Sequence, residues 1–240
     1  MRKGRLSGFN LSTPIANISF AMMHRYVRSL QRYGVSMMHT ARSFGYYRKV
    51  FYKNQAKTTV LASLEGKRIV DVGCGYTPFA EDSMFRVCHD AGIEFYGVDP
   101  IIAGDITFGP RERAMAIVTG GGGVFNAKAP GLTRALSIRA ENLPFDDGSV
   151  DEVLCSYLLF VWVEEEEALA DILGEFLRVL KPGGVVKLYP LYEWRLIRFK
   201  SQRLKSILAN FSIEQTFVHG GRDMRVTPSL LTEMVKSSKE

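Results

Sequence analysis

The chain has 240 residues, of which 46% are hydrophobic, so it can bury a full core as one globular domain. Its three cysteines form no C-x-x-C pair, which excludes the usual zinc and redox-pair signatures, and an odd count without a secretory signal predicts a cytoplasmic protein. No stretch approaches the ~18 apolar residues that a membrane-spanning helix needs.

The net charge of +6 is unevenly distributed along the chain. Residues 1–64 contain eleven basic residues and no acidic one, whereas the remaining 176 residues carry 20 basic and 25 acidic residues, a net charge of −5. The sequence therefore predicts a basic, aromatic-rich helical arm, residues 1–57, attached to a mildly acidic domain, residues 58–240.

The arm is predicted to contain an amphipathic helix between Ile15 and Tyr33, because apolar side chains recur there at helical spacing. The apolar positions are Ile15, Ile18, Met22, Tyr26, Leu30 and Tyr33, and Arg25, Arg28 and Arg32 follow on a neighbouring face. Four interpretations stay open: a helical cap over a ligand site, a surface for an anionic substrate or a membrane, a nucleic-acid arm, and a transit peptide.

The first strand is predicted at residues 68–72, where an apolar run ends in the turn Gly73-Cys74-Gly75. Glycine allows the backbone to bend sharply there and a ligand to approach closely. A nucleotide-type ligand is therefore expected at the carboxyl end of this strand. The dinucleotide fingerprint would need a glycine at position 78, which is Pro78, so NAD is not the expected ligand.

A second strand is predicted at residues 94–98, and Asp99 and Pro100 follow it. Asp99 comes 28 residues after Asp71, the acid inside the first strand. A carboxylate at the tip of the second strand can accept hydrogen bonds from both ribose hydroxyls of a bound nucleoside. The pair of strands therefore predicts a nucleoside site.

The third pattern runs from Ala140 to Gly184. It begins Ala-Glu-Asn-Leu-Pro-Phe, turns at Asp-Asp-Gly, continues through a buried strand at 150–155 and a helix at about 164–180, and ends in Leu-Lys-Pro-Gly-Gly. Further strands are predicted at 135–139 and 184–189. This alternation of strands and helices predicts an α/β fold with a parallel sheet and helices on both faces. The acidic run that opens the helix is explained by the helix dipole, so no metal site is predicted.

These three motifs, in this order, resemble the class I S-adenosylmethionine-dependent methyltransferases of the small-molecule and lipid type. The first is Asp71-x-Gly73-x-Gly75, and together the motifs cover about half of the chain, residues 67–188. The resemblance implies a Rossmann-like, mostly parallel seven-stranded sheet with S-adenosyl-L-methionine as the cofactor.

The resemblance also implies roles for single residues. Asp71 would favour the ammonium of the methionine part of the cofactor, and Asp99 would hold the ribose. Further cofactor contacts would come from the first glycine turn, the residue after Asp99, the adenine edge and the end of the fourth strand, namely Gly73, Cys74, Gly75, Pro100, Ala140, Glu141, Asn142, Cys155 and Ser156.

One position departs from the family's pattern. Many relatives carry an acid immediately before the Ala-Glu pair, where it accepts a hydrogen bond from the adenine amino group. This chain has Arg139, and a guanidinium cannot accept that bond. Either Glu141 or a backbone carbonyl serves instead, or the affinity for the cofactor is reduced.

The residues indicate the methyl acceptor less clearly than they indicate the cofactor. Cys155 lacks the preceding proline that cytosine C5 methyltransfer usually requires, so a buried structural thiol is the preferred interpretation. Tyr157 and His219 are weak candidates for a general base. A phosphate, a carboxylate or an easily ionised phenol would need no base. A second basic and aromatic cluster, residues 194–205, modestly supports an anionic acceptor.

We therefore expect O-methylation of a small-molecule or lipid-like acceptor. The basic arm suggests that this acceptor is anionic and that the protein also contacts a membrane peripherally. The alternatives are an RNA methyltransferase that uses the basic arm for phosphate contacts, and a non-catalytic, S-adenosylmethionine-binding partner subunit. Nucleic acid ranks below the small or lipid-like acceptor, and the sequence does not indicate an oligomeric state.

Overall fold

A single sheet of seven strands organises the residues that the computed structural model describes, which are 12–33, 40–103, 108–110, 113–114, 124–191, 199–220 and 226–238. The strand order is β3-β2-β1-β4-β5-β7-β6. The strands are β1 Arg68–Val72, β2 Glu94–Val98, β3 Ala135–Leu136, β4 Val150–Ser156, β5 Leu180–Tyr189, β6 Phe211–Val218 and β7 Ser229–Lys236. β1 to β5 are parallel to their neighbours, and β7 is antiparallel to both β5 and β6. The predicted fold class is confirmed.

Helices cover both faces of this sheet. In the described ranges they are α1 Ser12–Arg32, α2 Phe44–Phe51, α3 Lys57–Leu64, α4 Met84–Asp90, α5 Glu166–Val179 and α6 Gln202–Leu208. Alternate residues of β1 point to opposite faces: Val70 and Val72 pack in the core cluster of α5 and α6, whereas Ile69 packs in the cluster of α2, α3 and α4. Asp71 therefore lies on the same face as α2.

The element boundaries agree with the predictions at β1 and β2 and differ elsewhere. β3 ends at Leu136 instead of residue 139. β5 begins at Leu180 instead of residue 184, because Leu180 pairs with Val150 before a shift in register. α5 therefore ends at Val179.

The second half of the predicted arm is part of the core. Tyr46, Tyr47, Val50 and Phe51 of α2 are buried and belong to the same hydrophobic cluster as Ile69 of β1. The hydroxyl of Ser43 caps the helix by accepting a hydrogen bond from the backbone N–H of Tyr46 at 3.2 Å. The division of the chain at residue 57 stays a prediction, and half of the eight residues of α2 are buried.

The first half of the arm forms the predicted helix, α1, which lies beside β6 and β7. Its apolar positions Ile15, Ile18, Met22 and Tyr26 are exposed, and the side chain of Leu30 is outside the described part of the chain. None of the helices in the described ranges is long and apolar enough to cross a membrane. Residues 194–198 of the second basic cluster are likewise outside the described ranges.

Candidate cofactor and acceptor site

A cavity of about 310 Å³ opens where β1 and β2 end. It is lined by Val72, Gly73, Val98, Asp99, Pro100, Ile138, Arg139, Ala140, Glu141, Leu158, Val163 and Ile172. Five of these, Gly73, Asp99, Pro100, Ala140 and Glu141, are predicted contact residues. The carboxyl ends of parallel strands are where α/β folds bind nucleotides, so the cavity lies where the motifs place it.

The glycine turn after β1 is shaped by close approaches within the protein. Gly73 has φ +74° and donates from its N–H to the carbonyl of Val98 at 2.9 Å, and a Cβ on it would lie 3.1 Å from the side chain of Leu158. Gly75 has φ +57°, and its Cβ would lie 2.4 Å from the carbonyl oxygen of Thr40. Gly75 therefore lets the segment that precedes α2 cross directly over the turn.

Asp99 is held rigidly at the edge of the cavity. Its Oδ2 accepts a hydrogen bond from the N–H of Gly75 at 2.9 Å, and its Oδ1 accepts one from the N–H of Ile101 at 3.0 Å. The residue is only 5% exposed. Because each carboxylate oxygen has more than one lone pair, both oxygens can still accept from ribose hydroxyls. The role predicted for Asp99 is compatible with this geometry.

The adenine edge is formed by the loop after β3. Ala140 and Glu141 line the cavity, whereas Asn142 is exposed and lies outside the lining. Arg139 also lines it, and its guanidinium lies 3.4 Å from Glu141 Oε1. The arginine that departs from the family's pattern is thus paired with the carboxylate proposed to replace the missing acid, which would weaken that carboxylate as an acceptor for adenine.

Asp71 lies beneath the turn and does not line the cavity. It is buried, and its Oδ2 accepts a hydrogen bond from the hydroxyl of Tyr47 on α2. Burial raises the pKa of Asp71 to about 7, although the Tyr47 hydrogen bond and the nearby charge of Arg42 favour the ionised form. Asp71 is therefore poised to ionise when a cation, such as an ammonium, approaches.

Arg42 is the residue that the sequence analysis missed. It is only 6% exposed, and its guanidinium lies over the rings of Tyr46 and Tyr157, at 5.0 and 4.9 Å from their centroids. Among the described residues, no acceptor forms a hydrogen bond with that guanidinium. Nothing in the arm's composition distinguishes Arg42 from the exposed Arg25, since only the fold of α2 against β1 buries it.

The end of β4 carries a chain of buried hydroxyl groups. Ser156 Oγ lies 2.5 Å from the hydroxyl of Tyr46, and Tyr157, which has φ +60°, donates to Thr227 Oγ1 at 3.0 Å. Tyr189 at the end of β5 donates to the carbonyl of Thr227. A non-glycine residue with positive φ is uncommon, and such backbone strain is often found at functional sites.

The predicted thiol contacts are buried away from the cavity. Burial raises the pKa of Cys155 to about 12 and that of Cys74 well above its usual value. Neither cysteine appears in the lining of the cavity. Both thiols are therefore protonated at neutral pH, which agrees with the interpretation of Cys155 as a structural residue rather than a nucleophile.

Comparison with known proteins finds one family that matches part of the chain. The family described as "Methyltransferase domain" matches residues 111–188, which contain the end of β4 and the turn before it. Residues 111–188, about a third of the chain, therefore resemble this family, and the motif Asp71-x-Gly73-x-Gly75, which lies outside the match, resembles the same family. No curated protein matches the chain by sequence.

Several solved structures are similar to this chain. One is an S-adenosylmethionine-dependent methyltransferase from Thermotoga maritima, at 19% identity over 91% of this chain and 100% of that one, with a TM-score of 0.38. A chain in the complex of the Haloferax volcanii Trm112 activator with a methyltransferase has 17% identity, coverages of 94% and 99%, and a TM-score of 0.44. Geranyl diphosphate C-methyltransferase from Streptomyces coelicolor has 15% identity, coverages of 89% and 98%, and a TM-score of 0.41.

Three local observations bear on whether the residues around the cavity fit S-adenosylmethionine. The cavity has the rigid Asp99 carboxylate at its edge, and Gly73 leaves room beside Leu158 that a Cβ would fill. Beyond that glycine, the carboxyl of Asp71 and the guanidinium of Arg42 are close enough for each charge to shift the pKa of the other. Neither side chain lines the cavity, but their charges are opposite to those of the ammonium and the carboxylate in the methionine part of S-adenosylmethionine.

His219 lies apart from this constellation. It is exposed, follows edge strand β6 and packs its ring edge-on against Phe217, with 4.7 Å between the ring centroids. Tyr157, the other weak candidate for a general base, adjoins Leu158 of the cavity. Neither candidate lines the cavity, and Tyr157 is the one that adjoins a lining residue in sequence.

Proposed function

We propose that this methyltransferase acts on a small or lipid-like acceptor and transfers the methyl group to an oxygen that is already ionised. The observation that carries the proposal is the group of buried tyrosines at the carboxyl ends of β4 and β5. Tyr157 directly precedes Leu158, which lines the cavity. Tyr189 packs edge-on against Tyr157, and the Tyr46 hydroxyl lies 2.5 Å from Ser156 Oγ. In this proposal these tyrosines would form the wall against which an acceptor rests.

The tyrosines can donate hydrogen bonds but cannot serve as bases near neutral pH. Burial is the main cause that raises the pKa of each of the three phenols above its usual value. The carboxylates of the described cavity lining are also occupied: Asp99 accepts two backbone N–H groups, and Glu141 pairs with Arg139. A nucleophile that arrives already ionised, such as a carboxylate, a phosphate or an acidic phenol, suits this wall.

The protein's part in the reaction is to position the reactants and to exclude water. When bound, S-adenosylmethionine supplies a methyl group on a positively charged sulfur, which an in-line nucleophile accepts, leaving S-adenosylhomocysteine. Asp99 would hold the ribose, while Asp71 and Arg42 would hold the amino and carboxyl groups of the methionine part. To orient the acceptor, Tyr157 would turn its single O–H from Thr227 Oγ1 to the acceptor, and Tyr46 would donate its own while accepting from Ser156.

The proposal is tested by measuring S-adenosylhomocysteine formation with matched acceptors that share a skeleton and differ in one group. We expect turnover with a carboxylate, a phosphate ester or an acidic phenol, and none with the corresponding amine. Tyr157→Phe should lower kcat/KM for the acceptor about tenfold, the cost of one hydrogen bond to a charged group, and leave the Kd for S-adenosylmethionine unchanged. Asp99→Ala serves as the variant that loses the cofactor.

Two other outcomes would replace this proposal. Methylation of RNA, together with RNA binding that weakens steeply with salt, would favour the nucleic-acid alternative. Binding of S-adenosylmethionine without turnover on any acceptor, or only within a stable complex with another protein, would favour the non-catalytic alternative. Faster methylation of the amine than of the carboxylate would overturn the proposed acceptor chemistry.

A further inference from the structure

Helix α1 displays an apolar surface that the rest of the described chain does not cover. Eight large hydrophobic side chains are exposed in the described residues, and five of them lie on α1 or directly after it. Their exposures are 51% for Ile15, 63% for Ile18, 68% for Met22, 57% for Tyr26 and 84% for Tyr33. Single exposed apolar residues are ordinary, but a contiguous group on one element marks an interaction site.

Positive charges follow the same surface. Positions 15, 18, 22, 26 and 33 fall on one helical stripe, and Arg25, Arg28 and Arg32 lie on the adjacent face, all of them exposed. Arg28 and His24 also pair with Glu164, which follows β4. That connection fixes one side of α1 to the domain and leaves the apolar stripe and the two remaining arginines facing outwards.

From these features we infer that α1 binds the surface of an anionic lipid bilayer and lies in its interface. A helix with an apolar stripe bordered by arginines is suited to this position, because the stripe enters the acyl boundary while the guanidinium groups remain among the head groups. Tyrosines at the edge of such a stripe suit the interface, where one side of the ring is apolar and the hydroxyl is wet.

The distribution of charge favours a lipid surface and sets an orientation on it. Residues 1–64 carry no acidic side chain, whereas residues 65–240 carry a net charge of −5. An anionic surface would therefore attract the arm and repel the domain. Single-stranded nucleic acid fits less well, because Ile15, Ile18 and Met22 offer no aromatic face on which bases can stack.

The inference is independent of the methyl acceptor, since vesicle binding requires no turnover. The experiment is co-sedimentation of the full chain with phosphatidylcholine vesicles and with vesicles that also contain phosphatidylglycerol. We expect at least tenfold tighter binding to the anionic vesicles, weakened by added salt. Two double variants separate the contributions: Ile18→Ser with Met22→Ser removes apolar area, and Arg25→Glu with Arg32→Glu reverses charge.

Both double variants should lose at least tenfold in vesicle affinity while retaining S-adenosylmethionine binding, which shows that the domain is folded. The matched controls are Ile213→Ser, at an exposed apolar position on edge strand β6, and Arg203→Glu, at an arginine paired with Asp171. These controls should bind vesicles as the unchanged protein does. Because cofactor binding and turnover are measured separately, failure of vesicle binding is distinguishable from failure of the proposed reaction.

Three results would overturn the inference. One is equal binding to neutral and anionic vesicles, or none to either. Another is binding of single-stranded RNA that the arginine variant abolishes and the Ile18 and Met22 variant leaves intact. The third is self-association, measured by sedimentation velocity, that disappears in the Ile18 and Met22 variant while vesicle binding is absent.

Discussion

Asp71 couples the stability of the fold to pH. Its folded-state pKa is about 7, raised by burial above the ~3.9 of an exposed aspartate. Between these two values the folded protein holds a proton that the unfolded chain has lost. The free energy of unfolding should therefore fall as pH rises from about 4 to about 7, by on the order of 4 kcal/mol for a shift of this size.

The measurement is urea unfolding at pH 4.5, 6 and 7.5 of the unchanged protein and of Asp71→Asn. The amide cannot ionise, so this part of the decline should vanish in the variant, which should be the more stable of the two at pH 7.5. The same substitution should weaken S-adenosylmethionine binding, because an amide does not attract the ammonium. Equal pH dependence of the two proteins would contradict the assignment. Asp90→Asn on the surface is the control.

At the residue scale, the sequence predicted those site residues whose role follows from the chain's local geometry. Gly73, Asp99 and Ala140 come at the ends of strands that their own patterns reveal, and all three line the cavity. Arg42 and Tyr47 could not be found in this way, because they reach Asp71 only through the packing of α2 on β1. A contact between residues that are far apart in the sequence produces no periodic pattern in either segment.

The turn after β1 provides a prediction at the scale of an element. Gly75→Ala would combine an unfavourable positive φ with a Cβ that lies 2.4 Å from the backbone of Thr40. Gly66 has a similar φ of +70°, but a Cβ there meets nothing within 4 Å. Gly66→Ala should therefore cost about 1 kcal/mol of stability through backbone conformation alone, and Gly75→Ala considerably more.

Thermal unfolding of the two alanine variants isolates the steric contribution. Gly75→Ala should also lose affinity for S-adenosylmethionine, because displacing the segment from Thr40 to Arg42 removes the guanidinium from beside Asp71. Gly66→Ala should bind the cofactor normally. The close approach at Thr40 would be disproved by equal melting temperatures for the two variants.

The link between α5 and the adenine edge gives a second prediction at this scale. Arg178 donates to the carbonyls of Leu143 at 3.0 Å and Phe145 at 2.8 Å, and it pairs with Glu175 and Asp147. Glu175 in turn accepts from the N–H of Leu143 at 2.7 Å. This network fixes the loop that carries Ala140 and Glu141 to a rigid helix.

Arg178→Ala should lower stability by about 2 kcal/mol, since two carbonyls lose their donor, and should raise the Kd for S-adenosylmethionine through a less ordered loop. Arg178→Lys should restore part of the stability. Isothermal titration together with urea unfolding would check both effects. The control is Arg203→Ala, an exposed arginine on α6 whose ion pairs are screened by solvent. Unchanged cofactor affinity in Arg178→Ala would contradict the positioning role.

At this scale, the predicted bounds agree best with the structure for strands that have short, uninterrupted apolar runs. β1 and β2 have the predicted bounds, whereas β5 begins four residues early because Leu180 pairs across the sheet with Val150. Pairing between strands is a tertiary contact, so it can extend an element through residues such as Pro182 and Gly183 that disfavour it locally. β3 is shorter than predicted because its length also depends on pairing between strands. It lies at an edge of the sheet, where only β2 pairs with it.

At the scale of the whole molecule, composition alone placed residues 1–57 in one basic arm, yet the structure gives its two halves different environments. α1 presents its predicted apolar stripe to solvent, while α2 supplies four buried side chains to the core. Charge and hydrophobicity averaged over a segment cannot distinguish these cases. The difference arises from which residues meet the sheet, and for α2 these include Tyr47 against Asp71 and Phe51 in the cluster with Ile69.

Two truncations test this division of the arm. Removal of residues 1–39 eliminates α1 and keeps Thr40, Arg42 and α2. The shortened protein should unfold cooperatively and bind S-adenosylmethionine, but it should lose its affinity for anionic vesicles. Removal of residues 1–57 also eliminates the four buried side chains of α2, at roughly 2 kcal/mol each. That loss is comparable with the entire stability of a typical domain, ~5–15 kcal/mol.

The longer truncation should therefore lack a cooperative thermal transition and fail to bind the cofactor. Circular dichroism during heating and titration with S-adenosylmethionine would compare the two truncated proteins with the full chain. A cooperative transition at the melting temperature of the full chain after removal of residues 1–57 would show that α2 is a dispensable cap. Loss of folding in both truncations would instead assign α1 to the core, because its side against β6 and β7 would then contribute essential stability.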